Sequence, residues 1–227
     1  MSSTLEIRHL SVDIAGSPVL TDVVLSIAPG SFVGLVGRNG AGKTTLMRAI
    51  MGLLPARSGE VTFLDKDLRV MPAQARAYLH IGYMPEDRRL IPELTVEENV
   101  LLPAWAVGDA NVRDRLGFVY GILPEVQEFA PRRALQLSGG QQKLVALARA
   151  LMRGRRLLLL DEPFEGVAPA LARRLVEAIA ALKATGVSML LSESDYVHSG
   201  DLVDGLYVIE RGVVTSRLPV RNSAFDS

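Results

Sequence analysis

The eight residues Gly37-Arg38-Asn39-Gly40-Ala41-Gly42-Lys43-Thr44 constrain this chain more than any other stretch, because they fit G-x-x-x-x-G-K-[ST] between an apolar run and a helical pattern. The preceding run, Phe32-Val33-Gly34-Leu35-Val36, reads as a strand. Afterwards Leu46, Ile50 and Leu53 recur at helical spacing until Pro55 stops the helix, which predicts a core-facing helix. Strand, glycine loop and helix form an anion site: successive backbone N–H groups turn inward, and the helix adds the positive end of its dipole. Gly37, Asn39, Gly40, Ala41, Gly42, Lys43, Thr44 and Thr45 are therefore candidate phosphate contacts. In such a loop the lysine reaches the β- and γ-phosphates, the first threonine puts its hydroxyl on Mg²⁺, and the second lies close to the α- and β-phosphates.

The chain has 227 residues, 48% of them hydrophobic and 22% charged, enough to bury a substantial core in a single domain. Its 25 basic and 25 acidic residues cancel, so the bulk electrostatics carry no footprint for nucleic acid. Cysteine is absent, which excludes disulfides and thiolate metal sites and agrees with a reducing compartment. The start, Met1-Ser2-Ser3-Thr4-Leu5-Glu6, lacks the regions of a signal peptide, and no apolar run approaches a membrane span. A cytoplasmic chain is expected.

Residues 5–12 alternate in strand fashion, and Ala15-Gly16-Ser17-Pro18 turns the chain into a second run over 19–27, predicting an antiparallel β layer ahead of the glycine loop. Gly59-Glu60-Val61-Thr62-Phe63 and His80-Ile81-Gly82-Tyr83-Met84 read as further strands. From Glu86 the texture changes. Thr95-Val96-Glu97-Glu98 is a capping box that opens a helix, and the polar run through Asp109, Arg113, Asp114 and Arg115 follows. Residues 87–150 are expected to form a mainly helical lobe inserted between core strands. The apolar run over 100–107, with Trp105, reads either as lobe core or as a docking patch for a partner.

Leu157-Leu158-Leu159-Leu160-Asp161-Glu162-Pro163 is an apolar run ending in paired carboxylates, as in a parallel-sheet strand buried on both faces. A carboxylate at the carboxyl end of such a strand lies at the ligand edge, where Asp161 would hold Mg²⁺ directly or through water. Leu171, Leu175, Ile179 and Leu182 predict a helix from Pro169 to before Gly186. Residues 187–192 read as a strand, and 206–210 with 213–214 as a hairpin turned by Arg211-Gly212.

At Leu137-Ser138-Gly139-Gly140-Gln141 the serine suits a helix cap and two glycines allow close backbone approach to an anion. Those five residues reproduce the signature motif of ATP-binding cassette ATPases, and from about residue 5 to residue 214 the chain resembles that family. The resemblance implies a P-loop NTPase core of α/β class, with a mostly parallel sheet and an antiparallel β layer over residues 1–86 and 151–227. It implies an inserted helical subdomain over 87–150 that carries the signature motif. Glu162 becomes the base that polarises the attacking water, with Lys43 its catalytic companion. ATP and Mg²⁺ are the implied cofactors. Two subunits would face each other head to tail, each ATP lying between one subunit's loop and the other's Ser138, Gly139, Gly140 and Gln141. The dimer is a homodimer or a pair with a second ATPase. The lobe would receive integral membrane permease subunits, keeping the chain peripheral on the inner face of the plasma membrane. Met84 to Leu90, Leu94 to Val100 and Asp161 to Pro169 look most like ATPases of branched-chain amino acid and urea importers, systems fed by a periplasmic binding protein.

Three positions depart from the family pattern. Ile14 stands where an aromatic stacks on adenine, which implies loose base recognition. Glu86 stands where a glutamine senses γ-phosphate and Mg²⁺, and it joins Thr44 and Asp161 as a candidate metal neighbour. Ser194 replaces the histidine that contacts γ-phosphate; it can donate a hydrogen bond but carries no charge. His9, His80 and His198 have no metal-ligand spacing, and His198 reads as an exposed or packed ring. A GTPase would need N-K-x-D downstream, which is absent. The competing reading is a nucleotide-gated dimerisation module with little turnover, paired with a more active second cassette.

Overall fold

A computed structural model describes residues 3–195, 197, 198 and 200–217; Met1 and Ser2 of the amino-terminal stretch lie outside them. The chain opens with a hairpin of β1 (Leu5–Ile14) and β2 (Ser17–Ile27). Its turn is only Ala15-Gly16, both at positive φ, the twist that suits a two-residue hairpin loop. The strands β3 (Phe32–Val36), β4 (Ser58–Phe63), β5 (Lys66–Asp67) and β6 (Ile81–Met84) follow, with α1 (Lys43–Ile50) after β3 and the short α2 (Ala73–Arg76) before β6. Four helices come next, α3 (Val96–Trp105), α4 (Val112–Ile122), α5 (Pro124–Phe129) and α6 (Gly139–Arg153). Then β7 (Leu157–Asp161), α7 (Pro169–Lys183), β8 (Ser188–Glu193), β9 (Gly205–Glu210) and β10 (Val213–Arg217) complete the described chain.

Two sheets result. The order β2-β1-β4-β5 makes an antiparallel sheet; β10-β9-β3-β8-β7-β6 makes a second, parallel except where β10 closes its edge. This is the α/β core with an antiparallel layer that the sequence predicts. Strand β7 shows why the two sheets hold together. Leu157 and Leu159 enter the core shared by α1 and the antiparallel sheet, while Leu158 and Leu160 enter the core beneath α6 and α7. All four are fully buried, each worth about 1.5–3 kcal/mol relative to exposure.

Two local expectations change. Helix α1 stops at Ile50, a turn short of Pro55, because Gly52 takes positive φ (71°) just past its end, so Leu53 is 45% exposed rather than core-facing. The apolar run around Trp105 splits by face: Val100, Leu101 and Ala104 are buried, whereas Trp105 is 52% exposed. The helical content expected over 87–150 includes α4 and α5, each burying few side chains, with the Arg115 guanidinium donating to the Leu151 and Gly154 carbonyls of α6 and its end. Both capping boxes form, Thr95 with Glu98 and Ser138 with Gln141.

Candidate functional site

The glycine loop spans the gap from the carboxyl end of β3 to α1. Gly42 lies at φ 115°, and a Cβ there would come within 2.8 Å of Leu20 Cδ2; a Cβ on Gly37 would strike the Ile209 carbonyl. These contacts explain why the loop needs glycine at both positions. No side chain caps α1, no acid sits in its first turn, and its first turn closes only with the bond from Leu46 N to Gly42 O (2.9 Å). The N–H groups of Lys43, Thr44 and Thr45 therefore lack helical acceptors, leaving a positive helix end for an anion. Beside it opens a cleft of about 410 Å³ lined by Val19, Asn39, Gly40, Gly42, Lys43, Thr44, Thr45, Glu86 and Glu162. Gly37 and Ala41 line the other side of the loop, a cavity of about 730 Å³ that also meets Ser194.

Strands β7 and β8 carry the acids. Asp161 ends β7 opposite Ser192 of β8, and the Ser192 hydroxyl donates to Asp161 Oδ1 at 2.7 Å. The next residue, Glu162, turns into the left-handed region (φ 50°), with its N–H on the Ser192 carbonyl (3.1 Å) and hydroxyl (3.2 Å). That turn aims its carboxylate at Lys43: Nζ lies 2.9 Å from Glu162 Oε1, both side chains buried. Lys43 also donates to the carbonyls of Gly37 and Arg38, so the loop, the lysine and the carboxylate form one unit. The Ser194 hydroxyl lies 2.9 Å from Asn39 Oδ1 and 3.2 Å from Glu162 Oε1, which brings this departing position into the same cluster.

Among the described residues no three His, Asp or Glu side chains converge as a metal cage. Mg²⁺ does not require one, because it keeps waters and takes one or two carboxylates together with substrate phosphates. Asp161 fits that demand: it is fully buried, and its Oδ2 has no hydrogen-bond partner. Burial pushes the Asp161 carboxyl upward, opposed by the Ser192 hydroxyl, by Thr44 and Tyr83, and by the Lys43 charge. A cation on Oδ2 would relieve that penalty. Thr44 Oγ1 is 3.5 Å from Glu86 Oε2, at the outer limit of a hydrogen bond. Glu86, though an exposed residue, is itself held above the ordinary carboxylate range, first by partial loss of hydration and then by the charges of Glu165, Asp161 and Glu162.

Ser138, Gly139, Gly140 and Gln141 lie at the amino end of α6, and none of them lines the cleft over the loop of their own chain. Ile14, at the end of β1, is 41% exposed. His198 is exposed and packs its ring 5.2 Å from Phe164. Two residues of this region carry no sequence signal. Ser192 reads as the end of a strand, and nothing in the sequence singles out Lys143, yet both are buried against Asp161 or Glu162.

The family profile for ABC transporters matches residues 20–165. A high-affinity branched-chain amino acid transport ATP-binding protein, BraG of Pseudomonas aeruginosa, is 35% identical over 193 residues, covering 85% of this chain and 83% of that protein. The lipopolysaccharide export system ATP-binding protein LptB of Escherichia coli is 30% identical over 212 residues, covering 92% and 88%. Among solved structures, the ADP conformation of an ATP-binding cassette of an ABC transporter superposes with TM-score 0.81 at 28% identity, over 95% of this chain and 90% of that one.

Proposed function

Because this chain belongs to the ABC transporter family and is an ATPase subunit of such a transporter, we propose that its glycine loop binds Mg-ATP and that Glu162 drives hydrolysis. The observation that carries this reading is the joint aim of Lys43 and Glu162 beside an unsatisfied Asp161 Oδ2. The N–H groups of the loop and of the first turn of α1 bind and orient the phosphates, with Gly37, Asn39, Gly40, Ala41, Gly42 and Thr45 shaping the cradle. Lys43 leaves Glu162 for the β- and γ-phosphate oxygens. Freed of the lysine, the Glu162 carboxylate takes a proton from water as that water attacks the γ-phosphorus, the bond to the bridging oxygen breaks, and ADP leaves with phosphate. Thr44 and Asp161 would hold Mg²⁺, with Glu86 beside them. When bound, the ion screens charge on the transferring phosphoryl group.

We further assign Ser138, Gly139, Gly140 and Gln141 to the ATP of a second ATPase subunit, since they stand apart from the cleft of their own chain. Residues 87–150 act as the lobe that meets permease subunits, with the exposed Trp105 on its surface. No helix among the described residues is long and apolar enough to cross a membrane. The cargo we propose is a branched-chain amino acid, from BraG and LivF, proteins named for that transport and 35% and 34% identical. An export role is the second reading, favoured by LptB at 30% identity. Affinity purification of the chain from native membranes decides between them: a permease of the amino acid importer type supports the first, an exporter's permease overturns it. Phosphate release by wild type and by Glu162→Gln tests the hydrolytic assignment.

A further inference from the structure

Lys143 is a buried cation that the reaction described above does not use. It sits on the second turn of α6, the helix whose amino end carries Ser138 to Gln141, and only 6% of it is exposed. Burying an ammonium is costly unless its donors are satisfied. No carboxylate forms a salt bridge with it among the described residues; its Nζ donates instead to two backbone carbonyls, Glu162 O at 2.8 Å and Glu165 O at 2.5 Å. These are the ends of the turn that follows β7, itself closed by Glu165 N on Glu162 O at 3.2 Å. Glu162 is thereby fixed from both sides. Its N–H is held by Ser192 and its C=O by Lys143, while its φ of 50° is a conformation that non-glycine residues adopt at a cost.

We propose that Lys143 is a positioning residue for hydrolysis: its ammonium pins the Glu162–Glu165 turn to α6 and so keeps the Glu162 carboxylate directed at Lys43 and the attacking water. The inference rests on the reading of Glu162 as the base. Without it the Glu162 N–H stays on Ser192, but of the two carbonyls only Glu162 O keeps a bond, the one from Glu165 N, and no other hydrogen bond among the described contacts ties the turn to α6. The same contact makes the segment bearing the signature residues and the segment bearing the base move together. Displacement of α6 shifts the Glu162 carbonyl directly, through one side chain.

The test uses the full chain with Lys143→Met, which keeps an unbranched apolar stem and removes the donors, and Lys143→Gln, which keeps one short donor. Far-UV circular dichroism and thermal melts establish which variants fold. The expected result is a fall in kcat of about 10- to 100-fold with the affinity for Mg-ATP within about twofold of wild type, since misplacement of the base leaves the loop intact. Hydrogen exchange, read without turnover, should quicken about tenfold or more at residues 162–166 while β7 and the rest of α6 stay protected. Wild-type exchange at 162–166 in a folded variant overturns the proposal, whatever the rate. Unchanged kcat in Lys143→Met beside a lost kcat in Glu162→Gln also overturns it and leaves the base assignment standing. Unchanged kcat in both removes Glu162 from its role and the proposal with it.

Discussion

Replacing Glu162 by Gln separates the pairing with Lys43 that the structure shows from the base role proposed for the same carboxylate. With Nζ of Lys43 2.9 Å from Oε1, the direct Coulomb attraction is about 6 kcal/mol at an effective dielectric of about 20. Desolvation consumes much of that, and losing one partner of a buried pair typically costs about 3–5 kcal/mol. Lys43 keeps the carbonyls of Gly37 and Arg38, so the lower end applies to the empty site. In wild type, phosphate must displace Glu162 from the lysine. In Glu162→Gln that competition is gone, and binding of Mg-ATP should tighten by about 3 kcal/mol, roughly 100-fold at 1.4 kcal/mol per decade. The amide cannot accept the proton of the attacking water, so turnover should fall by about 10²- to 10⁴-fold. Calorimetric titration with Mg-ATP and phosphate release measured on the same preparation give both numbers. Turnover within about threefold of wild type would refute the base assignment. Lost turnover with unchanged affinity would keep the base and refute the competition for Lys43.

Lys43→Ala removes the charge proposed to meet the β- and γ-phosphates, and Mg-ATP affinity should drop roughly 100-fold, read by displacement of a fluorescent nucleotide. Glu86→Gln should raise the melting temperature of the metal-free chain. The folded-state pKa of Glu86 lies above its ordinary value of 4.5, so the folded state binds the extra proton and stability declines as pH rises through that interval. Melts in EDTA across pH 4 to 8 should show the variant losing part of that decline, and a parallel pair of curves would remove the repulsion from the account. Ser194→His places a ring beside Asn39 and Glu162, where the cavity of about 730 Å³ leaves room, and steady-state turnover should rise about tenfold. Ser194→Ala serves as its control; equal rates in all three chains would show that this position does not limit hydrolysis.

Much of the fold was legible because its signals are local. The glycine spacing, the capping residues Thr95 and Ser138, the run Leu157 to Leu160 and the turn Arg211-Gly212 each depend on neighbours within a few positions, and each forms as read. The short end of α1 was not legible, since Pro55 is the louder stop signal and Gly52 ends the helix first. A helical lobe was legible over 87–150, but the bounds of α4 and α5 within it were not, because their amphipathic pattern is faint and their contacts include Arg115 reaching backbone carbonyls. At the site, Lys43, Asp161 and Glu162 announce themselves by type and spacing. Ser192 and Lys143 do not, because they act through hydrogen bonds to residues 31, 19 and 22 positions away, and nothing short of the parallel pairing of β7 with β8 or the packing of α6 brings them there.

The departures and the unannounced residues bear on one electrostatic problem. Glu86, Asp161, Glu162 and Glu165 act on one another closely enough for the last three to raise the pKa of the first. Two ammonium groups face them: Lys43 pairs with Glu162, and Lys143 feels Glu165, Glu162 and Glu86 while its hydrogen bonds go to backbone. Four carboxylates against two ammonium groups leave a formal charge of about minus two, the charge that a divalent cation cancels. A glutamine at position 86 would lower that demand by one, so Glu86 makes the empty site costlier and its dependence on Mg²⁺ steeper. ATP brings its own negative charge to the same place, and without the ion it would meet an acidic wall. Nucleotide and metal should therefore bind with strong positive coupling, and most of that coupling should disappear when Glu86 is neutral. The same surplus bears on Lys143: burial pushes its ammonium below the ordinary lysine range, the charges of Glu165, Glu162 and Glu86 oppose that fall, and its donors hold the turn that carries Glu162.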